Sequence, residues 1–354
     1  MAFISLRRDK PAGRGGTLVG FLGPMLLALA VTLLAWVVIQ ASGGTTNDIV
    51  ILFGINAVMV VGFQSFVGNT GIVSFGHVAF MALGAYAAGI ASVPLALKAV
   101  VLPASPLFIR HAELPTFWSL IIGGVVAAVV ALVLGLVIMR LSGAAASIAT
   151  LGLLVIVNNV LNQAHSITRG PQALFGVPQA ATFPWVFGCL IAVAFLSTWF
   201  KWSRLGLRAR SVRDDPIAAE AAGVRRTPAR LWPFVLSAFI TGIGGALYAE
   251  DISAFSPNSF FVSQIVVVLV MAIVGGLNSI SGALVGSALI SALGELLRRL
   301  EAGFTIGPID VHGVVGISEA VFGVALILML RWRPAGLLGA LELEVDPRPI
   351  ARPK

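Results

Sequence analysis

The sequence is poor in charge, and this shortage decides which class of protein it can encode. Asp, Glu, Lys and Arg account for 11% of the 354 residues, whereas hydrophobic residues account for 58% and the mean hydropathy is +0.99. A soluble domain carries roughly 25% charged residues. A chain with so little charge cannot shield its apolar surface from water, so a soluble globular protein is excluded and lipid is the expected solvent.

Cysteine is almost absent. The single cysteine, Cys189, stands inside an apolar run, so no internal disulfide can form. No Cys or His cluster surrounds it in the sequence, so we interpret Cys189 as a packing residue and expect no metal site.

Long apolar runs and glycine are abundant instead. The runs last about 20 residues, the length of a helix that crosses a bilayer. The 39 glycines allow such helices to pack closely. The sequence therefore predicts an all-α, polytopic membrane helix bundle at residues 18–340, between an N-terminal tail at 1–17 and a C-terminal tail at 341–354 that we expect to be disordered. About ten spans are expected, near residues 18–40, 49–67, 71–93, 117–139, 143–163, 184–202, 231–250, 262–276, 280–297 and 313–331.

The basic residues orient this bundle. Of the 23 Lys and Arg residues, 18 fall in segments on the side of the two termini and five fall on the other side. Because Lys and Arg near span ends resist translocation, both termini are predicted to be cytoplasmic. Arg298 and Arg299 are the exception. Either they reach the outer headgroups with Glu295 as their partner, or a nearby span is re-entrant and the count differs from ten.

The longest inner loop between spans, residues 203–230, carries the charged segment RDDPIAAEAAGVRR. Asp215 followed by Pro216 is typical of a helix N-cap and first helical position, and Gly223 is typical of a helix end. The segment therefore predicts a helix of about two turns.

One side of this short helix is predicted to carry Ile217, Ala221 and Val224. A helix so short is marginal alone and must be braced against something. Two interpretations follow from the residues. The helix lies in the membrane interface with its arginines on anionic lipid, or it is a docking element for a cytoplasmic partner.

Five stretches of the sequence resemble one family. The loop SRLGLRARSVRDDPIAAEAAGV, from Ser203 to Val224, resembles the cytoplasmic loop of branched-chain amino acid permease subunits of ABC importers, of the LivM type. The other four are similar to motifs of the same family, in the same order, so the resemblance covers residues 49–340. They are GNTGIVSFGHVAFMALGAYAAGI from Gly68, ATLGLLVIVNN from Ala149, FVLSAFITGIGGALYA from Phe234 and AIVGGLNSISGALVGSAL from Ala272.

The resemblance implies that the short helix is a coupling helix, which sits in a groove on the ATP-hydrolysing subunit. It also implies that the chain is a permease subunit forming half of the membrane pathway for branched-chain amino acids or related small polar solutes. Leucine-like amino acids, other amino acids, urea and short amides all remain open as the solute. The residues expected to couple to the ATPase are Arg213, Asp214, Asp215, Ile217, Glu220, Ala221 and Gly223.

The energy source is expected to lie outside this chain. No G-x-x-x-x-G-K-[ST] motif occurs in the sequence, so we expect neither an enzyme nor a bound cofactor. The resemblance implies that two cytoplasmic ATPase subunits bind the ATP. It further implies a second permease subunit in a heterodimer, a periplasmic or lipid-anchored substrate-binding protein, and the inner membrane of a bacterial cell.

The first candidates for the solute pathway are Ser74, Gly76 and His77. They lie in a glycine-interrupted span, between Gly71 and Gly84, that we expect to be broken. A broken helix frees amides that can hold a carboxylate, with Ser74 assisting. The alternative is that the glycines permit close helix contact and that His77 is a hydrogen-bonded packing residue.

Asn158, Asn159 and Glu319 are the remaining candidates. The two asparagines place amides on successive faces of one helix, where they either line the pathway or bond neighbouring helices. Glu319 lies inside the last predicted span, where a carboxylate needs water or a partner, and a structural pair with a neighbouring subunit is the alternative role. Glu250 and Asp251, at the outer end of a span, are expected to be solvated.

The main alternative function is an ion-coupled secondary transporter. Such carriers usually need intramembrane carboxylates, and only Glu295 and Glu319 are available for this. An intramembrane enzyme is disfavoured because the sequence shows neither H-E-x-x-H nor a recognisable Ser, His and Asp set.

Overall fold

Helices make up most of the protein in a computed structural model. It describes residues 3–7, 16–42, 45–103, 105–106, 110, 113–301, 304–306, 309–311, 316–333, 335–339 and 342–346. The helices are α1 (Gly16–Ser42), α2 (Thr45–Thr70), α3 (His77–Ser92), α4 (Leu95–Val101), α5 (Thr116–Ile138), α6 (Ala144–Gln163), α7 (His165–Thr168), α8 (Phe183–Trp202), α9 (Arg204–Asp214), α10 (Pro216–Ala221), α11 (Arg226–Ile252), α12 (Val262–Gly275), α13 (Ile280–Glu301) and α14 (Ile317–Trp332). The strands are β1 (Phe3–Arg7), β2 (Phe304–Ile306), β3 (Ile309–Val311) and β4 (Glu342–Asp346).

The described residues contain eight helices that are long and apolar enough to cross a membrane. These are α1, α2, α5, α6, α8, α11, α12 together with the 3-10 turn Pro257–Phe260 before it, and α13. The helices α3 and α14 occupy the other two predicted positions, but each has only 16 residues. The polytopic helical membrane bundle is therefore confirmed, and the count of ten spans stays a prediction.

The two ends of the chain meet in a small antiparallel sheet. Strand β1 pairs with β4 so that Phe3 lies opposite Asp346 and Arg7 lies opposite Glu342. The expectation of disorder after residue 340 is thus wrong for residues 342–346, because pairing between distant segments satisfies their backbone groups and leaves no local signal. The remaining tail residues, 1–2, 8–15 and 347–354, lie outside the described part of the chain.

The core forms around α11, which packs against α2, α3 and α5. A Cβ atom on Gly84 of α3 would overlap the backbone of Gly242, and one on Gly245 would overlap the carbonyl oxygen of Met81. A Cβ atom on Gly242 would lie 2.7 Å from the carbonyl oxygen of Gly123 in α5. The three helices therefore approach backbone to backbone, as small residues allow in a membrane.

Basic side chains close one end of the bundle by binding backbone carbonyls. Lys201 Nζ donates to the carbonyl of Asn278 at 3.2 Å, and Arg230 Nη1 donates to that of Leu141 at 2.9 Å. The carbonyls follow α12 and α5, where helix ends leave acceptors unsatisfied and favour positive charge. Residues 203–230 lie at this same end, which we call the inner end.

We predict that replacing Gly245 with Ala destabilises the bundle, because the added methyl group forces α11 away from α3. Such overpacking costs about 1–3 kcal/mol. The measurement is the apparent Tm of the detergent-purified protein, followed by the fraction that stays monodisperse after heating. Gly188→Ala is the matched control, since no atom lies within 4 Å of a Cβ atom placed on Gly188. Equal Tm values for the two variants would contradict the close packing.

Candidate functional site

The inner loop folds into two consecutive helices, α9 and α10. Asp215 caps α10: its Oδ1 accepts hydrogen bonds from the amides of Ile217 at 2.9 Å and Ala218 at 3.0 Å. Pro216 is the first helical residue, and Gly223 takes a left-handed backbone with φ of +81° just after the helix. The predicted cap, length and stop of the short helix are confirmed.

A small apolar cluster braces α10 against its neighbours. Val212 of α9, Ala219 of α10 and Ala229 of α11 are buried together, and Val224 packs against them. The predicted apolar side of the helix is therefore wrong in part, because Ala219 faces inward and Ala221 is exposed. Ile217 is 75% exposed and projects away from the bundle.

Charged residues of the segment are held in local pairs. Glu220 pairs with Arg226 across the end of α10, and Arg213 Nε lies 2.9 Å from Asp214 Oδ1. Pairs this exposed add little stability. Arg213 also donates from Nη1 to the carbonyl of Gly68, so it ties the end of α9 to the last turn of α2.

A groove of about 370 Å³ lies between α9 and the start of α11. Its lining includes Arg208, Gly223, Arg225 and Trp232. Tryptophan and arginine together are typical of the level where a bundle meets the headgroups. Gly223 is the coupling candidate that lines this groove.

The predicted broken span is confirmed as non-helical at residues 71–76, and α3 begins at His77. The backbone amides released by the break find partners inside the chain. The amide of Phe75 donates to Thr150 Oγ1 at 3.1 Å, and that of Gly76 donates to Ser74 Oγ at 3.3 Å. Because Ser74 is buried and a Cβ atom on Gly76 would lie 2.5 Å from the carbonyl oxygen of Thr150, both residues serve packing in this conformation.

His77 lies in an aromatic cluster. Its ring packs against Phe63, Phe66, Phe80 and Phe234, and it is 1% exposed. Its Nε2 lies 2.8 Å from the hydroxyl of Ser237 in α11. This geometry favours the packing role over direct contact with a solute.

The two asparagines of α6 differ in their surroundings. Asn158 Nδ2 donates to the carbonyl of Pro257 at 3.0 Å, and its Oδ1 accepts from Asn162. Asn158 therefore joins α6 to the turn before α12. Asn159 is exposed. On the same helix, a Cβ atom placed on Gly152 would have no other atom within 4 Å.

Glu319 lies in the first turn of α14 and is exposed. Helix α14 packs against α12 and α13, whereas Ser74, Gly76 and His77 lie among α2, α6 and α11. The six pathway candidates are thus not gathered in a single site within this chain.

Sequence reasoning missed Glu250 at the opposite, outer end. Expected to be solvated, it is instead fully buried and accepts a hydrogen bond from Ser119 Oγ, while its Oε2 has no partner among the described residues. With Glu113 and Thr116 it lines a cavity of about 580 Å³. The only sequence signal was the polar pair Thr116 and Ser119 at the start of the otherwise apolar α5.

The comparisons with known proteins agree with this architecture. Residues 45–330 match the family model described as "Branched-chain amino acid transport system / permease component". No solved structure matches the chain.

Three relatives illustrate the range of similarity. The chain is 27% identical over 348 residues to the high-affinity branched-chain amino acid transport system permease protein LivM of Salmonella typhimurium, covering 88% of this chain and 74% of the relative. It is 22% identical over 316 residues to LivH of Escherichia coli, covering 81% and 92%. A nucleoside ABC transporter permease protein, NupC of Lactococcus lactis, is 34% identical over 111 residues, covering 31% and 35%.

The match to the family model spans most of the helical bundle, including α2, the broken span, the inner loop and α13. Two features that the structure shows, the capped α10 at the inner end and the interrupted span at residues 71–76, lie within the matched region. The chain is a multi-pass membrane protein and belongs to the branched-chain amino acid transport system permease family.

Proposed function

We propose that this chain is a permease subunit of an ABC importer in a bacterial inner membrane, with both termini in the cytoplasm. It forms half of the pathway for branched-chain amino acids or related small polar solutes. The observation that carries the proposal is α10, a capped helix that presents an exposed isoleucine beyond the inner end of the bundle.

The partners follow from the same proposal. Two cytoplasmic ATPase subunits bind and hydrolyse ATP, and a periplasmic or lipid-anchored binding protein delivers the solute. The chain is similar both to LivM and to LivH, two permease proteins of high-affinity systems, which supports a second permease beside this one. That role requires neither a cofactor nor a metal ion in this chain.

In this proposal the ATPases move α10, and the contacts of α10 and α9 carry that motion to the bundle. Val212, Ala219 and Ala229 join α10 to α9 and α11, so the three move together. The Arg213 bond to Gly68 then connects α9 to the end of α2, directly before the non-helical residues 71–76. Packed elements of this kind transmit force as rigid bodies, whereas an irregular stretch can change its backbone angles.

The ion-coupled alternative gains no support from its candidate carboxylates. Glu295 is held by Arg298 and Arg299, each at 2.8 Å, and Glu319 is exposed at a helix end.

We predict that Ile217→Glu abolishes ATPase binding without unfolding the bundle. The side chain is 75% exposed, so the change costs little stability in this chain, but an unpaired carboxylate buried at an interface costs about 3–5 kcal/mol. The measurement is the amount of ATPase that co-purifies with the tagged chain in mild detergent.

Val100→Glu is the matched control, because Val100 is 69% exposed in α4 at the outer end. Unchanged co-purification with Ile217→Glu would remove the case for α10 as the ATPase contact. A wild-type chain that purifies without any ATPase would overturn the importer proposal itself.

We predict that Arg213→Gln separates ATP hydrolysis from transport. Removal of the guanidinium breaks the bond to Gly68, a charge-assisted bond worth about 1.5–3 kcal/mol. ATPase binding and ATP hydrolysis should persist while the solute taken up per ATP falls. Arg204→Gln changes an exposed arginine on the same helix that does not line the groove, and it should leave that ratio unchanged. A normal ratio in Arg213→Gln would exclude this contact as part of the coupling.

We predict that Gly223→Val lowers uptake and Gly223→Asn does not. No atom lies within 4 Å of a Cβ atom at Gly223, so the only penalty is the left-handed backbone, about 1–2 kcal/mol for most residues and less for Asn. Initial uptake rates in vesicles at equal protein levels provide the measurement. Equal loss with both variants would show that the position is sensitive to volume at a partner surface rather than to backbone angle.

A further inference from the structure

A third cavity opens at the outer end of the bundle. It has a volume of about 520 Å³ and lies between the start of α2, the end of α11 and the helices α12, α13 and α14. This volume falls within the range of about 300–1,000 Å³ that is usual for small-ligand sites. None of the residues predicted for the solute pathway lines it.

Two carboxylates line the cavity. Asp48, in the first turn of α2, is exposed, and Asp251, near the end of α11, is half-buried. Neither carboxylate receives a hydrogen bond from a side chain or amide in the described part of the chain. Two carboxylates that line one cavity repel each other, and a cation bound between them would relieve that repulsion.

An ion pair also lines the cavity. Arg298, whose side chain is 67% exposed, donates from Nε to Glu295 Oε2 at 2.8 Å and from Nη2 to Oε1 at 3.1 Å, and Glu295 lines the cavity beside it. Arg299 donates to the same carboxylate at 2.8 Å, so the group of one glutamate and two arginines keeps a net positive charge. The Nη1 donors of Arg298 have no partner among the described residues, and a guanidinium suits a carboxylate in particular.

Apolar and uncharged polar groups complete the lining. Phe53, Met271, Ile290 and Phe322 supply an apolar lining. Ser291 adds a hydroxyl that is buried without a described partner. A buried hydroxyl of this kind is costly unless a ligand or water completes its bonding.

We propose that this cavity binds a zwitterionic amino acid with an apolar side chain. The ammonium group lies between Asp48 and Asp251, the carboxylate binds Arg298, and the side chain packs against Phe53, Met271 and Phe322. This inference rests on the proposed importer function and goes further, because it assigns an amino-acid site to this chain itself and does not leave selection to the binding protein alone.

The test is equilibrium binding of radiolabelled L-leucine to the full chain, purified with the subunits that accompany it and without binding protein or ATP. Two analogues test the two charged groups of leucine one at a time: leucinamide lacks the carboxylate, and 4-methylpentanoate lacks the ammonium. Each is expected to bind about tenfold more weakly than leucine, as expected for loss of one charge-assisted contact. Asp251→Asn should weaken the binding of leucine and leucinamide but not that of 4-methylpentanoate. Arg298→Gln should weaken the binding of leucine and 4-methylpentanoate but not that of leucinamide.

Two control variants test whether the loss of binding is specific to residues that line this cavity. Arg299→Gln removes an arginine that shares Glu295 but does not line the cavity, and Glu113→Gln removes an outer carboxylate from a different cavity. Both should bind leucine within about twofold of the wild type. Leucine binding by Asp251→Asn and Arg298→Gln that equals these controls, or no saturable leucine binding by the wild type, would overturn the site.

A lipid headgroup with an ammonium and a phosphate carries the same pair of charges. The binding assay is therefore repeated in bilayers of phosphatidylglycerol alone and with phosphatidylethanolamine. Equal leucine affinity in the two kinds of bilayer supports an amino-acid site. If phosphatidylethanolamine displaces leucine, the cavity is a lipid site. Failure of the proposed function looks different: the wild-type complex with its binding protein would then accumulate no solute in vesicles, whatever the variants bind.

Discussion

Backbone contact between α3, α5 and α11 is the constraint on which the rest of the protein depends. In lipid, apolar side chains gain little by meeting one another, so helices are held together by close van der Waals contact and by hydrogen bonds. Gly84, Gly242 and Gly245 remove the side chains that would keep these helices apart. With α11 fixed at the centre, its two ends carry the inner loop on one side and Glu250 and Asp251 on the other.

The two ends of α11 are built differently. At the inner end, positively charged side chains bind helix carbonyls, and the exposed α10 is braced by a few small apolar residues. At the outer end, carboxylates line two separate cavities, one with the buried Glu250 and one with both Asp251 and Arg298. In the proposed importer, this central helix joins the end that would contact the ATPases to the end that would receive the solute, so that motion at one end changes access at the other.

Much of the fold could be predicted from the sequence. The positions of the helices, the break at residues 71–76 and the capped α10 all follow from local patterns: apolar run length, glycine and proline placement, and an aspartate before a proline. The orientation of single side chains could not be predicted in the same way. The choice between Ala219 and Ala221 as the inward residue of α10 depends on where Val212 and Ala229 lie, and both come from other helices.

In the candidate site, too, some features follow from the local sequence and others depend on how the helices pack. The sequence itself determined that this is a helical membrane protein with a charged, punctuated inner loop, because composition and short motifs act within one helix or one turn. Only the tertiary structure decided that His77 is enclosed by four phenylalanines, that Glu250 is buried, and that Asp48 and Asp251 share a cavity with Arg298. These residues are tens to hundreds of positions apart, and only the way the helices pack determines which of their polar groups meet and which are left to bind something else.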